Sequence, residues 1–478
     1  MFGPYEIECD GREYVGNVSL KELHKFCRDG DTYLFVVETM AAHRISEMTS
    51  RIIDRVGSSF GSLVPLEMIK ELRKLDLVVE DGIPAKKSGA NGDNSNGADG
   101  KRIPSISAII LFVAQECNLR CVYCYGEGGE YGGKGIMTDE TAYRAVDWLL
   151  ESSKELEKVT IFFFGGEPLL NFPVIKKTVA YAKAKASEKN KKVGFGMTTN
   201  GSLLTDEIIS FIRNEKIKVQ VSFDGPPEIH DRQRPFKNGM GSYTAVSENI
   251  RNLLAVIPDL MVRGTVCEDA DPREIKKGIK EEGVKKFMVI EATPVICAGK
   301  EGSRSYKAEK EMSGSMISFQ EEEYDEFFES VKNRTIVENT ATKWFLTLIT
   351  GKKRYFGCGM GKRFAAVSTS GDIYPCHRFV GLEEVKLGTV TGYTPESINE
   401  YHRSIVNNLP GCSVCWTRYL CGGGCFYVNR AQTGDMRVAE VSFCDETKAA
   451  MEKAISMCTR FDDDDRKYVK EIAPVNEW

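Results

Sequence analysis

Short apolar runs alternate with helical patterns along the middle of the sequence, and this alternation restricts the possible folds more than any other feature. From Ser107 onward the strand-like runs are AIILFVA, VTIFFF, VGFGMTT, VQVSF, LMVRGTV and KKFMVIE. VTIFFF is continuously apolar, which is typical of a parallel strand buried on both faces. Repeated strand–helix units of this spacing predict an α/β fold with a parallel sheet, either a barrel or a doubly wound sheet.

Helical patterns fill the gaps between these runs. One begins near Thr138, and its Ala142, Val146, Leu149 and Leu150 share one face. TDEIISFIRN and SENIRNLLAVI predict two further helices after later strands. This central unit is expected to span residues 106–310 and to lead through a helical bridge, residues 311–356, into a cysteine-dense region at 357–450 and a tail at 451–478.

The first 83 residues have a different pattern. Strand-like YEIEC, REYVGNV and TYLFVVE alternate with helical ISEMTSRIIDRV and LEMIKELRKLDLVVED, which predicts a small α+β module. Residues 84–105 contain almost no apolar side chain and cannot bury enough surface to offset chain entropy. We interpret them as a flexible linker. A chain of 478 residues is in any case too long for a single core.

The net charge and the number of cysteines favour some classes of function over others. The net charge of −5 argues against a generic surface for nucleic acid or anionic membrane. Neither a signal peptide nor a run of roughly 18 apolar residues is visible, so we expect a soluble cytoplasmic protein with no nucleic-acid or membrane partner. Fifteen cysteines in a reducing compartment indicate metal binding rather than disulfides.

Three of these cysteines directly follow the first strand of the repeat. Cys117, Cys121 and Cys124 form a C-x-x-x-C-x-x-C triplet, at the strand end where α/β sheets present their ligands. Three thiolates on one loop can hold three irons of a [4Fe–4S] cluster and leave the fourth iron free to bind a substrate. The alternatives are structural zinc, which prefers paired C-x-x-C knuckles, or three unrelated buried cysteines.

The segment CNLRCVYCY resembles the CxxxCxΦC signature of the radical S-adenosylmethionine superfamily. The resemblance covers nearly the whole chain and implies a partial (β/α)6 barrel of the TIM type. It also implies a [4Fe–4S] cluster on the three cysteines. The cysteines would act catalytically by holding this cluster, which in reduced form cleaves S-adenosylmethionine to a 5′-deoxyadenosyl radical. Tyr123, just before the last cysteine, occupies the position that lies near the adenine in that family.

A second motif supports the resemblance. Gly165, Gly166, Glu167 and Pro168 follow a buried strand and match the family's GGEP motif, which binds the methionine amino group. Glycines let the backbone approach a ligand closely, and a carboxylate or carbonyl can accept a hydrogen bond from an ammonium group. Standing alone, the same four residues would be equally compatible with an ordinary turn.

Four polar residues at the ends of later strands complete the expected cofactor site. By similarity, Thr199, Asn200 and Ser222 contact the ribose or the carboxylate, and Arg263 can pair with a carboxylate through two hydrogen bonds. For each of them an ordinary turn residue or a surface ion pair is the alternative.

Residues 358–444 carry seven more cysteines among glycines and turn residues: Cys358, Cys376, Cys412, Cys415, Cys421, Cys425 and Cys444. Such a segment has little apolar periodicity and needs metal to fold. Its C-x-x-C-x₅-C-x₃-C core resembles the SPASM extension, which holds two auxiliary [4Fe–4S] clusters, so the resemblance implies three clusters in all. A zinc ribbon is the alternative.

By the same resemblance these cysteines divide into an outer and an inner set. The outer cluster would be held by Cys412, Cys415, Cys421 and Cys444, and the inner one by Cys358, Cys376 and Cys425. Sulfatase-maturing relatives have an extra cysteine between the positions that match Cys358 and Cys376, and this chain has none there. The inner cluster would then keep an open iron for a substrate thiolate, unless Cys458 is its fourth ligand.

The residue after Cys376 also departs from the sulfatase maturases. They have an aspartate base at this position, whereas this chain has His377, which argues against formylglycine formation. We count His377 among the candidate catalytic residues. A histidine here can be a proton acceptor, a cluster neighbour or a surface residue.

Residues 1–83 resemble the winged-helix element with which peptide-modifying enzymes bind the leader of a precursor, by adding a strand to a sheet edge. A structural cap is the alternative. CVYCYGEGGEYGGKG, DRQRPFKNGMGSY and CWTRYLCGGGCFYVN look most like maturases that install thioether bridges, including those for six-cysteine peptides and for quinohemoprotein amine dehydrogenase. The implied partners are a precursor peptide with a leader and a low-potential flavodoxin or ferredoxin. Carbon–carbon cross-linking, oxidation of a peptide residue and a non-catalytic electron carrier remain the competing functions.

Overall fold

The computed structural model describes most of the chain. The described residues are 5–9, 12–16, 18–58, 64–79, 105–267, 270–292, 314–335, 339–392 and 405–472. The predicted linker at 84–105 lies outside them, apart from its last residue. No helix in the described ranges is long and apolar enough to cross a membrane.

The N-terminal part contains two antiparallel sheets, each of three strands, and two helices. In chain order the elements are β1 (Tyr5–Cys9), β2 (Arg12–Gly16), β3 (Leu23–Arg28), β4 (Asp31–Val36), β5 (Ala41–Ile45), α1 (Glu47–Ser58), β6 (Val64–Pro65) and α2 (Leu66–Lys74). The sheets have the strand orders β1-β2-β6 and β3-β4-β5. The sequence did not predict β3 and β5, because both mix basic residues with few apolar ones. A signal for the β3–β4 hairpin was nevertheless present: Asp29 and Gly30 both have positive φ, as a tight Asp-Gly turn requires.

The β3-β4-β5 sheet is covered on both faces. Leu34 and Val36 pack with the core of α1 and α2. The opposite face, including Phe35, shares a core with Phe345 and Ile455, which belong to helices near the other end of the chain. One face of the β3-β4-β5 sheet therefore belongs to an N-terminal core, and the other face belongs to a core that is shared with the C-terminal helices.

The central part is an open parallel sheet flanked by helices. Its elements are β7 (Ala108–Gln115), β8 (Gly135–Ile136), α3 (Asp139–Ser152), β9 (Lys158–Gly165), α4 (Phe172–Glu188), β10 (Lys192–Thr199), α5 (Asp206–Glu215), β11 (Lys218–Ser222), α6 (Pro227–Gln233), α7 (Tyr243–Leu254), β12 (Met261–Val266), α8 (Pro272–Glu281) and β13 (Lys286–Glu291). Apart from the short β8, these strands pair in parallel in the order β7-β9-β10-β11-β12-β13. The predicted α/β fold with a parallel sheet is confirmed.

Local sequence explains where these elements begin. Thr138 caps α3 by accepting a hydrogen bond from the Thr141 amide at 3.2 Å. Thr205 caps α5 in the same way through the Ile208 amide. Ala142, Val146, Leu149 and Leu150, the predicted apolar face of α3, are all buried.

The C-terminal part attaches to the same sheet. Its elements are α9 (Gly314–Lys332), α10 (Thr342–Thr350), β14 (Phe364–Val367), β15 (Asp372–Tyr374), β16 (Gly388–Thr389), α11 (Arg418–Cys421), α12 (Phe426–Thr433), α13 (Val441–Cys458) and α14 (Asp463–Ile472). β14 pairs in parallel with β7, so the cysteine-rich region is an extension of the central sheet. The boundary predicted at residue 450 lies inside α13, whose Met451 and Ile455 are fully buried. Residues 451–472 are therefore part of the core and not a separate tail.

The shared core leads to a stability prediction. Phe345 is fully buried and stacks on Phe327 with ring centroids 4.7 Å apart. Phe345→Ala should lower the free energy of unfolding by about 3–5 kcal/mol. Because the N-terminal sheet packs on this core, hydrogen exchange should increase in β4 as well as in α9 and α10. Met240→Ala, at a side chain that is 64% exposed, should change the free energy by less than about 0.5 kcal/mol. Unchanged exchange in β4 would show that the two cores are independent.

Candidate active site

The cysteine triplet lies on the loop after β7, where the three thiols stand close together. Burial raises the pKa of Cys117 to about 11 and that of Cys121 to about 12, and the Cys124 thiolate adds to both shifts. Thiols in such surroundings stay protonated at neutral pH unless a cation takes the place of the proton. The three side chains are free and only partly exposed, as ligands that face a cavity should be.

Two neighbouring segments hold the cysteine loop in place. The Arg120 guanidinium donates to the carbonyl oxygens of Cys117, Leu119 and Gly128 at 2.9, 2.8 and 3.3 Å. The Arg120 amide donates to the Pro235 carbonyl at 2.8 Å. The thiols are therefore positioned by a network of backbone contacts and not by the triplet alone.

The two motif glycines allow the ends of β7 and β9 to touch. The Gly166 amide donates to the Ala114 carbonyl and the Glu167 amide to the Glu116 carbonyl, both at 2.9 Å. A Cβ on Gly166 would lie 2.2 Å from the Glu116 oxygen, and one on Gly165 would lie 2.0 Å from the Ala114 oxygen. Only glycine fits at either position. Both glycines also line the cavity, as an approach to a ligand requires.

Glu167 is fully buried behind the cavity wall. Its carboxylate accepts hydrogen bonds from the Thr199 hydroxyl at 2.7 Å, the Asn200 amide at 2.7 Å and the Leu169 amide at 3.1 Å. Burial raises the pKa of Glu167 to about 7, although these donors oppose the shift. The side chain thus orients the next strand end, and neither Glu167 nor Pro168 lines the cavity.

The open cavity in front of the triplet has about 930 Å³ of empty space. Most of the predicted site residues line it: Cys117, Cys121, Tyr123, Cys124, Gly165, Gly166, Thr199, Asn200, Ser222 and Arg263. Side chains from the ends of five strands therefore converge on one space. The wall also includes Tyr125, Gln220, Arg234 and Glu291, which the sequence did not single out.

A buried polar network behind Tyr123 was missed by sequence reasoning. The Tyr123 hydroxyl donates to Asp224 at 2.7 Å and accepts from Arg234. Asp224 also accepts from Gln233 and from the Thr265 amide, both at 2.9 Å. Burial raises the pKa of Asp224, while Arg234 and these donors oppose the shift. The network fixes the tyrosine ring at the cavity wall. The sequence signals were the FDG segment, to which sequence reasoning gave no role, and the DRQRP segment, which it used only for the family resemblance.

His377 lies between the cavity wall and the inner cysteines. Its Nδ1 is 3.5 Å from Cys376 Sγ. Its ring centroid is 5.1 Å from that of Phe164 and 6.4 Å from that of Tyr125, and both of these rings line the cavity. Burial and the nearby Arg378 and Arg263 charges lower the pKa of His377 to about 3, which leaves the ring neutral. The surface alternative for His377 is thereby excluded.

The seven C-terminal cysteines form two electrostatically coupled groups. Burial raises the pKa of Cys376 to about 12, and Cys425 and Cys358 add to the shift. Burial likewise raises the pKa of Cys412 to about 11, and here the contributing thiols are Cys421, Cys444 and Cys415. Within the described ranges, no three or more His, Cys, Asp or Glu side chains are arranged to hold a metal ion. The assignment of these cysteines as cluster ligands stays a prediction.

Cys458, the rival ligand, lies elsewhere. It is 2% exposed in the apolar core shared with Phe345 and Met451. Burial raises its pKa to about 12, and the charge that opposes this shift is that of Arg466. No cysteine contributes to the shift among the described residues. Cys458 is thus a core residue, separate from the coupled thiols.

Glu167 provides a pH test of the site. An acid with a pKa of about 7 when folded and 4.5 when unfolded binds more protons in the folded state between these values. Stability should therefore fall as pH rises from 4.5 to 7, by about 3 kcal/mol from this group. Glu167→Gln in the cluster-free protein should remove this loss, as measured by urea unfolding at several pH values. Glu140→Gln, at an exposed position, should keep it. If the wild type and both variants lost the same free energy of unfolding as the pH rises, the raised pKa of Glu167 would be contradicted.

Comparison with known proteins agrees with this arrangement. Residues 111–277 match the family model described as the radical SAM superfamily. The uncharacterized protein MJ0907 of Methanocaldococcus jannaschii is 38% identical over 140 residues, which are 29% of this chain and 46% of that protein. The chain thus spans about half the length of that relative. A cysteine-type anaerobic sulfatase-maturating enzyme of Clostridium perfringens is 25% identical over 346 residues, covering 68% of this chain and 89% of the relative.

Two solved structures share the fold. Native anSMEcpe with bound AdoMet and Cp18Cys peptide superposes with a TM-score of 0.61 at 24% identity, covering 75% of this chain and 99% of that one. Streptococcus suis SuiB bound to precursor peptide SuiA gives a TM-score of 0.52 at 14% identity, with coverages of 90% and 99%. Radical SAM domains use a [4Fe–4S] cluster and S-adenosylmethionine, and three thiols facing one open cavity suit both. Residues 111–277 are therefore a radical SAM domain.

Proposed function

We propose that the enzyme is a peptide maturase that installs intramolecular thioether cross-links, from a cysteine sulfur to a carbon atom, in a ribosomally made precursor. The observation that carries this proposal is the position of the inner cysteines directly behind the cavity. His377 connects Cys376 to the cavity rings of Phe164 and Tyr125. A substrate cysteine held there would lie next to the carbon atom attacked from the cavity.

The relatives support a polypeptide substrate. The Clostridium perfringens relative is named as a sulfatase-maturating enzyme, and the SuiB structure contains a precursor peptide. We infer that this chain also acts on a peptide or a small protein subunit. The thioether product rests on the sequence resemblance and on the three-cysteine inner group.

We assign the S-adenosylmethionine cluster to Cys117, Cys121 and Cys124. When bound, the cluster and S-adenosylmethionine supply the radical that takes a hydrogen atom from the peptide, after reduction by a flavodoxin or ferredoxin. Tyr123, held by Asp224 and Arg234, presents its ring at the wall for the adenine. Thr199 and Asn200, both oriented by Glu167, line the cavity where the ribose or the carboxylate would bind.

The remaining cavity residues complete this assignment. Ser222 and Arg263 offer polar groups at the neighbouring strand ends. The Nε atom of Arg263 is buried and lacks a hydrogen-bond partner among the described residues, so a carboxylate would satisfy it. The backbone of Gly165 and Gly166 faces the same space and suits the methionine amino group.

We assign Cys358, Cys376 and Cys425 to the inner auxiliary cluster and the other four coupled cysteines to the outer one. Since Cys458 lies in a separate core, the inner group has no fourth cysteine from this chain in the described ranges. That open position suits the thiolate of a substrate cysteine. The positive charges of Arg378 and Arg263 oppose protonation of His377, so we propose that His377 is a cluster neighbour and not the base.

The N-terminal residues 1–83 are proposed to bind the leader. β1 pairs with β2 and forms one edge of its sheet, where an extended peptide can add a strand. The second sheet anchors this part to the outer cysteines. His24 stacks on Trp416 with centroids 3.7 Å apart, and the buried Arg418 pairs with Glu22 and Glu38.

The printed names of the Clostridium relatives favour a second candidate, oxidation of a peptide residue to formylglycine. The histidine after Cys376 argues against it, since sulfatase maturases resembling this chain have an aspartate base there. The two products differ in whether sulfur is retained. A thioether keeps the cysteine sulfur, and formylglycine loses it.

The radical step can be tested without a substrate. Dithionite-reduced, reconstituted protein should convert S-adenosylmethionine to 5′-deoxyadenosine, measured by chromatography. Replacing Cys117, Cys121 and Cys124 by alanine should abolish the product, because no iron would then remain to bind the methionine group. Cys27→Ala, at an exposed cysteine in β3, should leave the yield unchanged. A triple variant with the wild-type yield would refute the assignment of the triplet.

The product can be tested by co-expression with the small open reading frames beside the gene. We expect tandem mass spectrometry to show a peptide that has lost two hydrogen atoms, with the link mapped to a cysteine and an acceptor carbon. Changing that cysteine to serine should prevent the link. A link that survives this change would support carbon–carbon coupling, and loss of sulfur with gain of an aldehyde would support formylglycine.

A further inference from the structure

Lys362 is a buried lysine whose ammonium group has no hydrogen-bond partner among the described residues. Its side chain lies in the loop between Cys358 and β14 and is only 6% exposed. Its Nζ atom is fully buried and lies 2.9 Å from the centroid of the Phe356 ring. It does not line the cavity that is assigned to S-adenosylmethionine.

The loop of Lys362 packs against the segments that carry the other inner cysteines. The Gly361 amide donates to the carbonyl of Pro375, the residue before Cys376, at 3.2 Å. A Cβ on Gly357 would lie 2.1 Å from the carbonyl oxygen of Gly424, the residue before Cys425. The loop that carries Cys358 and Lys362 is thus in close backbone contact with the segments that carry Cys376 and Cys425.

An unpaired buried ammonium is strongly unfavourable, because it loses its hydration without gaining a partner. Burial lowers the pKa of Lys362 to about 7, and among the described residues the group that opposes this shift is the Cys358 thiolate. The side chains near Lys362 therefore provide one thiolate and one aromatic face, and leave most of its donor capacity unused. This suits an additional anion at the inner group.

We infer that Lys362 is a positioning residue for the inner auxiliary cluster, donating to sulfur atoms on its Cys358 side and favouring the reduced state. The inference rests on the proposed assignment of that cluster. Iron–sulfur clusters with thiolate ligands are anionic and gain negative charge on reduction, and hydrogen bonds to their sulfur atoms raise the reduction potential. Lys362 supplies N–H donors in a buried site, and an anionic cluster beside it would favour its charged form.

This role fits the electron balance of thioether formation. The hydrogen atom taken from the peptide ends in 5′-deoxyadenosine, and the substrate thiol loses its proton when it becomes a ligand. Coupling of the carbon radical to the bound sulfur forms the carbon–sulfur bond and leaves one electron. When bound at Cys358, Cys376 and Cys425, an oxidised inner cluster would supply the acceptor for that electron. Lys362 makes this acceptance more favourable by stabilising the added negative charge.

The test is a redox titration of reconstituted full-length protein, monitored by electron paramagnetic resonance. The S-adenosylmethionine cluster is removed by replacing Cys117, Cys121 and Cys124 with alanine, and Cys376→Ala identifies the inner signal. Lys362→Met removes the charge at similar volume, and Lys362→Arg keeps it. Lys386→Met is the control, since Lys386 lies in the same region but pairs with Asp372 at 2.7 Å. Iron and sulfide are measured on every variant.

Lys362→Met should lower the ratio of reduced to oxidised inner cluster at least tenfold at a fixed potential, which corresponds to 59 mV for one electron. Lys362→Arg and Lys386→Met should stay within threefold of the parent protein. Loss of the inner cluster in Lys362→Met, with retention in Lys362→Arg, would also support the inference. A loaded cluster with an unchanged ratio in Lys362→Met would overturn it, as would loss of the cluster in both Lys362 variants. Iron for only one auxiliary cluster in the parent would instead refute the inner-cluster assignment itself.

Discussion

The rest of the candidate active site depends on the contact between the ends of β7 and β9. Gly165 and Gly166 bring the β9 backbone against the carbonyl oxygens of Ala114 and Glu116, at distances that leave no room for a Cβ atom. This contact sets the cysteine loop after β7 beside the Glu167 carboxylate after β9. Glu167 in turn holds Thr199 and Asn200 at the end of β10. One glycine pair therefore fixes the relative positions of three strand ends.

A second attachment brings the C-terminal cysteines into range. The pairing of β14 with β7 makes the cysteine-rich region continuous with the parallel sheet. Backbone hydrogen bonds in a sheet fix neighbouring strands at a defined spacing. The position of the inner cysteines relative to the cavity is therefore fixed by the β14–β7 pairing. His377 and its aromatic neighbours occupy the narrow space between them. The strand pairing therefore holds Cys376 and His377 at a fixed place beside the cavity wall.

The N-terminal sheet is part of the same architecture. Its β3-β4-β5 sheet is buried between α1 and α2 on one side and the helices α9, α10 and α13 on the other. Arg418, which lies between Cys415 and Cys421, is 95% buried as a side chain and pairs with two glutamates of this sheet region. Losing both glutamates would leave the buried Arg418 charge without compensation, which is costly. The ion pairs of Arg418 therefore hold the outer cysteine loop against the N-terminal part.

The sequence by itself determined the elements and the chemistry that depends on local pattern. The β–α alternation, the helix start near Thr138, the apolar face of α3 and the position of the cysteine triplet after the first strand of the repeat are all local signals, and the structure has each of them. The β3–β4 hairpin also had a local signal at Asp29 and Gly30, which the basic residues of β3 concealed.

Only the tertiary structure decided how distant residues combine. Tyr123 meets Asp224 and Arg234 across more than 100 positions of sequence, and no spacing rule predicts such a network. The same holds for Glu167, which resembled a ligand in the sequence but is turned away from the cavity to hold the next strand. The isolation of Cys458 and the unpaired ammonium of Lys362 are likewise consequences of packing. Burial and hydrogen bonding depend on what surrounds a side chain, and those surroundings come from parts of the chain far apart in sequence.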